Sequence, residues 1–146
     1  MRIAFVVARV GDERNIVQRL SLILADELRK HGENVDIFPF TRRKVFSFLS
    51  YKNFRNYDCV LIANVGLQCA YFSIYKRLRL IKKPFVAISF GSDIRATKNR
   101  LVNLFNRISK PVVDLLIVIN PDLVVIARKR GYKHVQYVHN WASALP

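Results

Sequence analysis

Acidic side chains are scarce in this chain: 10 Asp and Glu stand against 25 Lys and Arg, a formal net charge of +15 over 146 residues. That deficit says little about the fold, but it narrows the partners to nucleic acid, an anionic membrane surface or a phosphate-rich substrate. Glycine and proline are also few, 5 of each, which excludes collagen-like and low-complexity chains. The 2 cysteines, Cys59 and Cys69, stand in apolar segments without C-x-x-C spacing. Buried reduced thiols are therefore expected in place of a disulfide or a metal site, and with them a cytoplasmic setting.

Long hydrophobic runs are missing as well. The opening apolar stretch Ile3 to Ala8 is closed by Arg9, Asp12 and Glu13, too short for the apolar region of a secretory signal. The uncharged stretch between Asp58 and Lys76 is interrupted by Asn64, Gly66 and Gln68 before the ~20 apolar residues that a bilayer crossing requires. No G-x-G-x-x-G follows the first strand, and neither a G-x-x-x-x-G-K-[ST] loop nor a G-x-S-x-G elbow occurs. The histidines His31, His134 and His139 are scattered and make no H-E-x-x-H. Dinucleotide fingerprints, P-loops, serine hydrolases and zinc sites drop out together.

What is present is alternation. Residues 2–8 read as a strand, and the loop Arg9-Val10-Gly11-Asp12-Glu13 opens a helix with Ile16, Leu20, Ile23, Leu24 and Leu28 at helical spacing. Lys30, His31 and Gly32 close that helix as basic last-turn residues and a glycine cap do. Strands follow over 35–40, 58–64, 84–88, 114–120 and 135–139. Helices are predicted over 65–81, over 95–110 with Leu101, Leu104, Phe105 and Ile108 on one face, and over 121–130 with Gly131 as cap. The fold class is therefore α/β: a Rossmann-like, doubly wound, mostly parallel six-stranded sheet flanked by helices. One domain accommodates the length, with roughly two thirds of its unfolded surface buried.

Two stretches invite a functional reading. Residues 84–93, PFVAISFGSD, run from a buried strand into a polar glycine turn. Ligands of open α/β sheets gather at the carboxyl ends of strands, so this turn is where a site belongs, although Ser92 or Asp93 could equally serve as a plain helix cap. The crossover over 41–57 contains no acid and mixes Arg42, Arg43, Lys44, Lys52 and Arg55 with Phe46, Phe48 and Tyr51. Val45, Phe48, Leu49 and Lys52 share a helical face. Three readings stand: a crossover helix with a solvated basic edge, a membrane-surface segment, or a nucleic-acid contact.

Four segments in order resemble the N-terminal domain of GT-B glycosyltransferases, most closely the retaining family 4 enzymes. The opening MRIAFVVARVGDERNIVQRLSLILADELRKHGENVDIF is similar to their strand, phosphate-side loop and helix-strand unit, and NYDCVLIAN to a later strand. SFGSDI resembles their H-G-x-D turn, while DLLIVINPDLVVIARKRG with VQYVHNWASALP resembles their run into the interdomain hinge.

The resemblance implies that residues 1–140 form an acceptor-binding domain, with 141–146 beginning a hinge to a C-terminal donor-binding domain or subunit. It also implies a hexosyltransferase-like activity that this half lacks alone. No cofactor is expected on this domain; a nucleotide-sugar donor belongs to the other half, and no metal is expected. By the same likeness Asp93 is the candidate catalytic residue. Gly91, Ser92, Gly11, Asp12, Asn120 and Asn140 line substrate- or donor-facing turns, and Phe90 replaces the family's histidine. Family members with lipid-linked acceptors bind the membrane through this domain. That implies a cytoplasmic protein, peripheral on the inner face, with Arg42, Arg43, Lys44, Phe46, Phe48, Tyr51, Lys52 and Arg55 as membrane or acceptor contacts and a lipid-linked or carbohydrate acceptor. A non-catalytic recruiting subunit or a nucleic-acid module is the alternative.

Overall fold

The computed structural model describes residues 1–7, 16–40, 54–95 and 98–139. Along the chain run β1 (Arg2–Val7), α1 (Ile16–Lys30), β2 (Asn34–Pro39), β3 (Cys59–Ala63), α2 (Leu67–Arg77), β4 (Phe85–Ser89), α3 (Ser92–Arg95), α4 (Arg100–Ser109), β5 (Leu115–Val118), α5 (Asp122–Arg130) and β6 (Val135–Tyr137). All the strands pair in parallel, in the order β2-β1-β3-β4-β5-β6. The Rossmann-like six-stranded sheet is thus present, and it is wholly parallel. After β2 the chain crosses back over β1 to lay β3 on its far side. The topological switch point falls between β1 and β3, whose carboxyl ends are Val7 and Ala63.

Successive strand residues point to opposite faces, and both faces are covered. On one side Ala4, Val6, Ile62, Phe85 and Leu116 meet Cys69 and Phe72 of α2 and Leu123 and Ala127 of α5. On the other, Ile3, Phe5, Leu61 and Ile88 meet Leu24, Ala25 and Leu28 of α1. Double coverage is why β1 and β3 read as unbroken apolar runs. Phe72 and Leu123 are 1% and 0% exposed, and each such side chain contributes about 2 to 3 kcal/mol by leaving water. Phe54 belongs to the same core, its ring 5.5 Å from that of Phe72 and edge-on to it.

Three helices end on one hydrogen-bond pattern. In α1 the amides of Gly32 and Glu33 donate to the carbonyls of Arg29 and Leu28; in α5 Gly131 and Tyr132 donate to Arg128 and Ala127. In α2 Arg79 and Leu80 donate to Lys76 and Tyr75. The pivot is left-handed each time, with φ of +86° at Gly32, +97° at Gly131 and +58° at Arg79. Glycine adopts that conformation freely, whereas a side chain there costs about 1 kcal/mol. The α2 terminus carries that cost.

Two details depart from the sequence reading. The helix predicted over 95–110 is shorter, α4 over Arg100–Ser109, and Arg95 instead ends a separate four-residue helix, α3. Asn99 starts α4, its side-chain oxygen accepting from the Leu101 amide at 2.9 Å. Half of the predicted apolar face of α4 is outward: Leu101 is 61% and Leu104 48% exposed and Phe105 and Ile108 are half-buried, while Asn106 and Ser109 are buried. The reason is a polar network beneath the helix, described next.

Candidate functional site: the carboxyl edge of the sheet

Strand β4 delivers its last residue, Ser89, into the core, and the chain turns at once through Phe90 and Gly91. Gly91 has a φ of +122°, which L side chains rarely adopt, so the turn specifies glycine by backbone angle. Asp93 then folds back under the turn. Its Oδ1 accepts from the Ser89 hydroxyl at 2.6 Å and the Gly91 amide at 3.1 Å. Oδ2 accepts from the Val65 amide at 2.7 Å, in the loop that leaves β3. One carboxylate therefore ties together the loops after β3 and β4, immediately beside the switch point.

Burial dominates the electrostatics of this carboxyl. Asp93 is 6% exposed. Desolvation pushes its pKa above the ordinary carboxylate range, and the bonds from Ser89, Val65 and Gly91 oppose the shift without cancelling it. The carboxylate is held inside the turn, where it fixes backbone. Ser92 is exposed on the same turn, while Phe90, half-buried, packs against the core on the α1 side of the sheet.

Behind the turn lies the network that sequence reasoning missed. The Asn106 side-chain amide donates to the Asp93 carbonyl at 2.9 Å and the Val102 carbonyl at 2.8 Å, and its oxygen accepts from the Tyr132 hydroxyl at 2.8 Å. Arg130 donates through Nε to the Ile94 carbonyl and through Nη1 to Asn103 Oδ1 at 2.9 Å. Arg95 pairs with Asp122. A four-residue helix cannot satisfy its own carbonyls, so α3 takes donors from α4 and α5. The available signal was a lone Asn one helical turn beyond Val102, on the side opposite the leucines.

Other candidates are distributed unevenly. Asn120 closes the β5 turn, half-buried, its carbonyl accepting from the Leu123 amide at 3.1 Å as α5 begins. The turns after β3, β4 and β5 share the carboxyl edge, which brings Asp93, Ser92, Gly91 and Asn120 to one end of the sheet. Gly11, Asp12 and Asn140 lie outside the described residues, as do Arg42, Arg43, Lys44, Phe46, Phe48, Tyr51 and Lys52. Arg55 is described and sits at the opposite, amino edge. There it joins Phe54, Arg79, Leu80, Ile81, Lys82 and Lys83 around a cavity of about 390 Å³.

Chemistry of other kinds finds few residues here. Among the described residues no group of His, Cys, Asp and Glu could hold a metal ion. Both cysteines are free thiols, and burial pushes the Cys69 thiol up to about 12, which leaves it inert. No helix among the described residues is long and apolar enough to cross a membrane. No protein-family model matches the chain, and no curated protein matches it.

Proposed function

We propose that this chain is the acceptor-binding half of a nucleotide-sugar-dependent glycosyltransferase, acting at a membrane surface on a lipid-linked or polyanionic acceptor. The observation that carries the reading is the locked pair of turns at the carboxyl edge, where a single buried carboxylate fixes the loops after β3 and β4 beside the switch point. Group transfer between two bound molecules depends on holding the acceptor hydroxyl in line, and a turn fixed by buried hydrogen bonds supplies that geometry before the acceptor arrives. In this reading Asp93 is a positioning residue. Stabilisation of the leaving diphosphate belongs to a donor-binding partner. Phe90 offers an apolar ring where the resemblance has a histidine, so sugar contacts on this side fall to Ser92, Asn120 and backbone groups.

A second reading is favoured by one feature. The carboxylate of Asp93 is enclosed, so a non-catalytic Rossmann-like subunit that recruits a partner to the membrane fits the same edge.

The test is an amide-shift titration of the ¹⁵N-labelled chain with a polyprenyl-phosphate-linked sugar in detergent. Acceptor binding shifts the amides of Val65, Gly66, Phe90, Ser92 and Asn120. A titration that leaves these amides unmoved overturns the acceptor reading and leaves the recruiting subunit.

A further inference from the structure

The outward surface of α2, α4 and the turn after α2 is the least satisfied part of the described molecule. Among the described residues ten large hydrophobic side chains are exposed, and six of them belong here: Leu67, Ile74, Leu78, Leu80, Leu101 and Leu104. The two helices pack side by side. Leu67, Ile74 and Leu78 recur at seven- and four-residue spacing along α2, which places them in one stripe. Leu101 and Leu104 make a second stripe, because α4 turns Asn106 and Ser109 inward.

Charge on this layer has one sign. No acidic residue occurs in α2, in the turn over 78–84 or in α4. Lys76 is paired with Asp114, but among the described residues Arg77, Arg79, Lys82, Lys83, Arg100 and Arg107 make no ion pair. The turn alternates cation and apolar residue, Arg77-Leu78-Arg79-Leu80, and lines the 390 Å³ cavity with Arg79, Lys82 and Lys83. Arg79 holds the left-handed position that glycine fills at the ends of α1 and α5. A side chain kept where the backbone favours none points to use of that side chain.

We infer that the α2/α4 layer with residues 77–83 is a docking surface for an anionic phospholipid bilayer. Exposed leucines enter the interfacial region, and the cations, with the cavity at the amino edge, hold lipid phosphates. A soluble acidic protein would match the charge, but apolar side chains interleaved with cations along helices that lie flat suit a headgroup layer best. Both helices run from the carboxyl edge to the amino edge. The Ser89–Asp93 turn lies at the carboxyl edge, where both helices begin. This deepens the proposal above and rests on its membrane setting, while adding α2, α4 and residues 77–83 to the crossover 41–57, whose Arg55 lines the same cavity.

The experiment is vesicle sedimentation of the intact chain with phosphatidylcholine alone and with added phosphatidylglycerol, alongside thermal melts. Wild type pellets with the anionic vesicles and stays in solution with neutral ones. The double variant Leu78→Ser/Leu104→Ser melts as wild type does and loses pelleting. Arg79→Gly separates use from structure: it raises the melting temperature and weakens partition about fivefold, the effect of one surface cation. Anionic vesicles that bind both variants as tightly as wild type overturn this surface and leave the membrane to another segment. Equal binding to both vesicle types, binding to neither, or salt-steep binding to RNA that excludes vesicles also overturns it. The amide titration is read in detergent without vesicles, so loss of acceptor shifts there with vesicle binding intact sinks the transferase reading alone.

Discussion

The two edges of the sheet treat polar groups in opposite ways. At the carboxyl edge the turn after β4 draws its one acid inside, matches both carboxylate oxygens to donors and sets glycine at the left-handed position. At the amino edge the turn after α2 sets arginine at a left-handed position, and leaves Leu78 64% exposed among cations. The first edge is built for rigidity. The second keeps a backbone cost and an exposed apolar surface that folding alone does not explain, which is the pattern of a surface completed by something outside the chain.

Removing the lock gives the largest effect. Asp93→Ala strands the Val65 amide and the Ser89 hydroxyl and leaves the Gly91 amide only its long 3.3 Å bond to the Ser89 oxygen. Each of the two orphaned donors costs about 1 to 3 kcal/mol, so denaturant unfolding registers a loss of about 3 kcal/mol. A loss under 1 kcal/mol contradicts the view that this carboxylate organises the edge. Asp93→Asn retains an acceptor for one amide and removes the charge, which isolates the pH term. Because burial raises the folded-state pKa above the unfolded value, the native chain holds this proton more tightly. The stabilisation it represents is complete below about pH 4 and disappears as pH rises through the folded value. Wild-type stability therefore falls relative to Asp93→Asn across that window, and a flat or rising difference contradicts the shift.

How much of this was legible in the sequence follows from what each element rests on. Strands β1, β3, β4 and β5 announce themselves through short apolar runs rich in Val and Ile, too short for helices, and Gly32 and Gly131 mark helix ends by backbone angle. Such signals are local. Asp93 was singled out from its position after a strand, but its inward orientation depends on Val65, 28 residues away, which no spacing rule contains. The α4 misreading has the same origin. Helical periodicity finds the leucines, while Asn106 takes the buried side because the Asp93 carbonyl and the Tyr132 hydroxyl are waiting for it. Arg79 falls inside the helix predicted over 65–81, which ends at Arg77. Its conformation is invisible without the backbone, since α2 ends on a pattern for which the sequence supplies no glycine.

Arg79→Gly reverses the sign seen at the other edge. It relieves a left-handed side chain and stabilises the fold by about 0.5 to 1 kcal/mol in a thermal melt. The change opposes that of Asp93→Ala, and the contrast between the edges rests on this opposition. If Arg79→Gly destabilises instead, the arginine holds structure at the amino edge, and the two turns differ only in residue type.

Leu104→Gln is the smallest and the sharpest of these changes. At 48% exposure the side chain gains little from folding, so the substitution stays within about 0.5 kcal/mol of wild type, whereas Leu123→Ala in the core costs about 3 kcal/mol. The two leucines lie on the same side of the sheet and differ in what covers them: Leu123 is enclosed against β-strand residues, and Leu104 projects beyond α4. A Leu104→Gln loss approaching that of Leu123→Ala in dilute, lipid-free solution means that protein already covers the outer face of α4. The exposed leucines would then be core, and the difference between the two edges would reduce to charge alone. A neutral substitution leaves the stripe open in solution, which the proposed docking to an anionic bilayer requires.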